Sequence, residues 1–76
     1  MTLTASAAAV LRALRRPRTL PQLVAHVARA GAPLTPHQVE TTVQQLQQVG
    51  YVGPVGADQL ERRTEGKRAL KAWGAA

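Results

Sequence analysis

The chain contains no cysteine, which removes disulfides, thiol nucleophiles and cysteine-ligated zinc together. Phenylalanine is also missing, and one Tyr and one Trp are the whole aromatic complement. The apolar content rests on Ala, Val and Leu, which suits closely packed helices better than an aromatic-rich β-sandwich. No long hydrophobic run occurs either. The longest, Ala7 to Leu11, falls far short of the ~20 residues a bilayer span requires, so no membrane partner is expected. No positive charge precedes the apolar part of MTLTASAAAV, so a secretory signal is not expected and the cytoplasm is the anticipated location. Seventy-six residues make one domain, 1–76, with 1–4 and 74–76 expected to fray. A core this small supplies only ~3–5 kcal/mol, so good caps, short loops or a partner subunit should assist it.

Acidic residues are scarce and unevenly placed. Residues 1–34 hold Arg12, Arg15, Arg16, Arg18 and Arg29 with no acid at all. Residues 35–58 hold only Glu40 and Asp58 as charged side chains, and residues 59–76 set Arg62, Arg63, Lys67, Arg68 and Lys71 against Glu61 and Glu65. The net charge of +6 is thus divided into two basic patches around a nearly neutral centre. Flanking cations of this kind can hold a phosphate backbone, and nucleic acid is the expected partner class. The plain alternative is that excess Arg keeps a small protein soluble.

The neutral centre, TPHQVETTVQQLQQVGYVGPV, carries the most information. Thr35 and Gln38 form a Thr-x-x-Gln capping box, and Pro36 occupies the first helical position. Val39, Val43 and Leu46 recur at spacings of four and three, one stripe of an α-helix. His37, Thr41, Gln44 and Gln48 lie on the opposite face, with Gln38 and Gln45 on its shoulder. Gln offers a donor and an acceptor together, which matches the N6/N7 edge of adenine, and Thr can contact several bases. These six residues are the candidate base readers. The bland reading is that a surface helix needs polar residues and Gln is a good helix former.

Earlier in the chain, Thr4 or Ser6 can cap a first helix over AAAVLRALRR that buries Ala7, Val10, Leu11 and Leu14 and stops at about Arg16, before Pro17. Thr19 and Gln22 make a second capping box for a helix burying Leu20, Leu23, Val24 and Val27, closed by Gly31 and Pro33. Two helices joined by a short Gly-containing turn form a helix-turn-helix, whose second helix enters the major groove. After Gly50, residues 51–55 are expected as a strand, 56–58 as a tip and 59–63 as a returning strand. The rival is one helix capped at Asp58 and running to Trp73. Pro54 confines the first strand to an edge. The last helix, Thr64 to Trp73, offers Ala69, Leu70 and Trp73 for packing. Trp73 is expected to lid the core, with a dimer contact as the alternative.

This order resembles a winged helix-turn-helix domain, most closely the small bacterial regulators of the PadR and MarR type. The residues that carry the resemblance are Leu46, Gly50, Tyr51 and Val52, then Arg63-Thr64-Glu65-Gly66 with Ala69-Leu70. It covers roughly residues 8 to 72. It implies a mainly α, α+β fold: a three-helix core, a short β-hairpin wing and a C-terminal helix. It also implies that His37, Gln38, Thr41, Gln44, Gln45 and Gln48 face the groove. Arg62 and Arg63 would lie on the wing near phosphate or the minor groove, and Arg15, Arg16 and Arg18 near the backbone. Lys67 joins them as a phosphate contact. The third helix departs from the pattern in lacking Lys and Arg and in carrying Glu40.

No catalytic set is visible. His26 and His37 fall on different helices without an acid or Cys at good metal spacing, and the glycines match no phosphate-binding fingerprint. No enzyme activity, metal or cofactor is expected. The expected function is sequence-specific binding of double-stranded DNA as a transcriptional regulator, as a homodimer. The alternative is a winged-helix protein-interaction module, an adaptor or inhibitor of a nucleic-acid-processing machine, without base readout.

Overall fold

Threonines open three helices in this computed structural model, which describes residues 3–32, 34–56 and 58–75. Thr4 Oγ1 accepts the Ala7 N–H at 3.0 Å and begins α1 (Ala5–Ala13). Thr19 Oγ1 accepts from Gln22 N–H at 3.3 Å, while Gln22 Oε1 accepts from Thr19 N–H at 3.0 Å, and α2 (Leu20–Arg29) follows. Thr35 and Gln38 repeat the exchange at 3.1 and 2.9 Å ahead of α3 (Pro36–Gln48). Each Thr is extended, so its hydroxyl reaches first-turn N–H groups that have no partner inside the helix. Both expected capping boxes are present.

The helix ends are equally local in origin. Gly31 and Gly50 have φ of 84° and 80°, a region that favours glycine. At α2 the Gly31 N–H bonds Ala28 O and the Ala32 N–H bonds Val27 O. At α3 the Gly50 N–H bonds Gln47 O and the Tyr51 N–H bonds Leu46 O. Both are Schellman closures. The first helix stops sooner than the sequence suggests, at Ala13 and not Arg16. Pro17 holds Arg16 out of the helical region, and the last turn tightens as Arg15 N–H bonds Arg12 O at 3.2 Å. Pro33 and Ala57, expected in the interhelical loop and the hairpin tip, lie outside the described residues, as do Met1, Thr2 and Ala76.

No sequence signal marks β1 (Arg18–Thr19), a two-residue strand before α2. β2 (Val52–Val55) and β3 (Gln59–Arg62) form the expected hairpin, so the rival helix from Asp58 is not present. The sheet is antiparallel with order β1-β3-β2; Arg18 sits opposite Leu60 and Val52 opposite Arg62. Pro54 is accommodated because β2 is an edge strand. α4 (Thr64–Ala75) completes an α+β arrangement of four helices and one three-stranded sheet among the described residues.

α1 is the centre of the packing. Ala7, Val10, Leu11, Ala13 and Leu14 are buried with Leu23, Val27, Val39, Val43, Leu46 and Val52 in one cluster. Leu20, Val24, Leu34, Tyr51, Leu60 and Leu70 pack partly buried around it. Thr42 is the buried polar residue of α3, and its hydroxyl donates to Gln38 O at 2.7 Å. Two expectations are corrected here. Leu3 packs on the core, Thr4 caps α1, and Gly74 and Ala75 are helical, although all four fall in the stretches expected to fray. Trp73 is not a core lid: it is 37% exposed, with the Arg12 guanidinium 5.2 Å from its ring centroid.

Gly66 explains how α4 docks. It is buried in the first turn, and a Cβ there would overlap the Tyr51 carbonyl oxygen. Tyr51 O already accepts the Arg63 N–H at 2.8 Å, so that carbonyl cannot move freely. In an exposed helix Gly→Ala stabilises by about 1 kcal/mol. At Gly66 the sign reverses, because the overlap forces α4 off the hairpin. Gly66→Ala is expected to cost about 1–3 kcal/mol, read as a lower urea midpoint at unchanged m.

Candidate nucleic-acid interface

α3 presents its polar side as a straight row. His37, Thr41, Gln44 and Gln48 follow at spacings of four, three and four, and all are exposed. Val39, Thr42, Val43 and Leu46 are buried on the other side, so the row points away from the core. No Lys or Arg lies on this helix, and its one carboxylate, Glu40, is exposed.

The six candidate base readers do not form one set. Gln38 Oε1 accepts the Thr35 N–H, so its acceptor is engaged at the cap, whereas adenine readout uses donor and acceptor together. Gln38 and Gln45, with His37 and Thr41, also line a shallow groove of about 430 Å³ between α3 and the start of α1, opposite Thr4 and Ser6. Gln44 and Gln48 stand outside that groove, on the open crest of the helix.

The predicted phosphate contacts divide as well. Arg18 Nε donates to Ala13 O at 2.7 Å, and Arg62 Nη1 donates to Leu11 O at 3.1 Å. Both therefore cap the C-terminal end of α1, where carbonyls lack intrahelical donors and the helix dipole is negative. Arg62 turns inward on the same side of β3 as Leu60. Arg63 turns to the other side, where Nη1 lies 3.2 Å from Glu61 Oε1, Nη2 donates to Pro54 O, and the guanidinium lies over Gly53. The bare Cα of Gly53 leaves room for it. Arg15, Arg16 and Lys67 are exposed and have no side-chain partner among the described residues.

Two adjoining clefts gather the arginines. Arg12, Arg15, Arg18, Arg62 and His26 line one of about 330 Å³. Arg16, Arg18, His26 and Arg29 line the other, of about 340 Å³, beside Gln22 and Gln59. No Asp, Glu or α3 residue lines either cleft. Sequence reasoning passed over Arg12, His26 and Arg29 as site residues. The usable signal was spacing: His26–Arg29 is an i, i+3 pair on α2, and Arg12–Arg15 has the same spacing across the end of α1. Among the described residues no three His, Asp or Glu side chains converge as metal ligands, and no helix is long and apolar enough to cross a membrane. No family model matches this chain, and no curated protein or solved structure is detectably similar to it.

The division between pinned and unpaired arginines is measurable. Arg18→Gln removes a hydrogen bond to a helix-end carbonyl and is expected to cost about 1–2 kcal/mol. Arg16→Gln, on the exposed surface, should stay within about 0.5 kcal/mol of wild type by chemical denaturation.

Proposed function

We propose that this chain is a sequence-specific double-stranded DNA-binding protein of the winged helix-turn-helix type, acting as a transcriptional regulator in the cytoplasm. The order helix, strand, helix, helix, hairpin, helix, with sheet order β1-β3-β2, supports that architecture. The observation that carries the functional reading is the row His37, Thr41, Gln44 and Gln48. It is exposed, uncharged, and held by a capping box at one end and a Schellman closure at the other. A rigid helix offering amides and hydroxyls suits base edges in the major groove. Arg15, Arg16, Arg62, Arg63 and Lys67 would supply the salt-dependent phosphate term around it, with Arg18 shared between the fold and the backbone. Two copies would place two α3 helices on successive turns of the duplex, which makes a homodimer the expected binding form.

Anisotropy titration of random-sequence duplex at two salt concentrations tests the phosphate term. Dissociation constants of about 10⁻⁶–10⁻⁴ M that weaken steeply with salt are expected. After selection of a site, Gln44→Ala with Gln48→Ala should weaken specific binding by about 1–3 kcal/mol per lost base contact and leave random duplex unaffected. Absence of binding at low salt would sink the reading.

One observation favours a second reading, a winged-helix module that docks on an acidic protein surface. α3 carries no cation, and no α3 residue lines the arginine clefts. Recovery of one stoichiometric partner that survives nuclease treatment, with no duplex affinity, is the result this reading expects.

A further inference from the structure

The cleft at the C-terminal end of α1 concentrates cations without an anion to meet them. Arg12 reaches it from α1, Arg15 from the turn that follows, Arg18 from β1 and Arg62 from β3, with His26 of α2 as a further wall. The nearest carboxylate along β3, Glu61, belongs to the other side of the strand and pairs with Arg63 at 3.2 Å. Glu65 pairs with Arg68 at 3.3 Å. Four arginines therefore line a space of about 330 Å³ with no acidic residue in its lining.

Two of the four arginines are held in place with donors to spare. Arg18 and Arg62 each give one N–H to an α1 carbonyl, at 2.7 and 3.1 Å, which holds their planes in place. A guanidinium has five N–H donors, so most remain free. Arg62 Nε is buried and has no hydrogen-bond partner. Arg15 is exposed and makes no ion pair among the described residues. The carbonyls of α1 take up part of the positive charge but accept only those two side-chain bonds. Fixed, convergent guanidinium forks match phosphate oxygens bidentately. A ligand of one negative charge would leave most of this cleft uncompensated, and a bulky one would not enter it.

We propose that this cleft binds a compact free oligophosphate, a ligand with two or more linked phosphate groups, at a place separate from the α3 face. The proposal goes beyond the DNA reading and reassigns Arg15, Arg18 and Arg62, which that reading gives to backbone phosphate. Backbone phosphate offers the same chemistry, and it is the rival source. Arg12 links the site to a reporter, because its guanidinium lies 5.2 Å from the Trp73 ring centroid and Trp73 is the only tryptophan in the chain.

The test is titration of the full chain with sodium tripolyphosphate in the absence of DNA. Ionic strength is held at about 0.15 M to screen diffuse attraction. Trp73 emission and titration calorimetry are read together, so binding that leaves Arg12 in place is still detected. The expected result is saturable one-to-one binding at least about tenfold tighter than that of sulfate at matched ionic strength. Arg15→Gln should weaken it by about tenfold without moving the melting temperature of the free protein. Gln44→Ala with Gln48→Ala should leave it unchanged. Equal affinity for sulfate, wild-type affinity in Arg15→Gln, or silence in both readouts would overturn the proposal. Random duplex is then added to the saturated complex. Retention of tripolyphosphate supports a free ligand, whereas competitive displacement assigns the cleft to nucleic-acid backbone and overturns the separate site.

Discussion

The inner face of α1 is enclosed by the rest of the chain, and two carbonyls at its C-terminal end are met by arginines from the sheet. Ala7, Ala8, Val10, Leu11, Ala13 and Leu14 are all at most 2% exposed. Leu11 O loses its usual helical donor because the Arg15 N–H bonds Arg12 O instead, and Ala13 O lies beyond the last intrahelical bond. An unpaired buried carbonyl costs about 1–3 kcal/mol, a large share of what a core this size supplies. Arg62 and Arg18 fill those two places from β3 and β1. The helical layer and the sheet are thereby joined by directional bonds as well as by apolar contact. Lysine would serve less well, since one hydrogen bond fixes the plane of a guanidinium and its remaining donors, whereas an ammonium still rotates.

The rest of the architecture follows from that junction. Fixing Arg18 opposite Leu60 and Arg62 opposite Val52 sets the register of all three strands over α1. A slip of one residue would swing Arg62 to the outer side and Glu61 toward the α1 carbonyls, which repel a carboxylate. With the hairpin in place, Tyr51 O meets the Arg63 N–H, and Gly66 lets α4 approach that same carbonyl. α3 is freed from these demands. Its inner stripe closes the core and its termini are satisfied by its own sequence, so its outer row carries no structural duty apart from Gln38.

Local chemistry was the legible part. Thr35–Gln38 and Thr19–Gln22 announce helix starts because the bonds they make span three residues, and Gly31 and Gly50 announce ends for the same reason. Val39, Val43 and Leu46 are readable because period and burial coincide. What escaped depends on partners distant in sequence. β1 is two residues long and exists only because Leu60 and Gln59 lie beside it. Arg62 reads as a surface cation, yet its partner is 51 residues away. Trp73 reads as core because it is large, but α4 turns it toward Arg12 instead. Gly66 reads as a weak point in a helix; only the position of Tyr51 shows it to be required. The candidate site inherited this pattern: the α3 row was readable from one helix, and the arginine clefts, assembled from α1, β1, α2 and β3, were not.

The formal charge of +6 consequently overstates the freely acting cations. Arg18 and Arg62 are committed to α1, Arg63 and Arg68 to Glu61 and Glu65, and Arg12 stands over Trp73. Arg15, Arg16, Arg29, Lys67 and Lys71 are exposed without such partners among the described residues. A phosphate backbone running over the surface engages the exposed group most readily, because those side chains keep their reach and give up no partner in the protein on contact. The two arginines bonded to α1 carbonyls, Arg18 and Arg62, behave differently. They are already ordered, so a ligand shaped to their fixed positions forfeits little side-chain entropy on binding. Exposed cations favour loose, salt-sensitive contact with an extended polyanion, and fixed ones favour a compact ligand of defined shape. Both kinds occur here, and they meet at Arg15, which is exposed and yet lines the cleft held by Arg18 and Arg62.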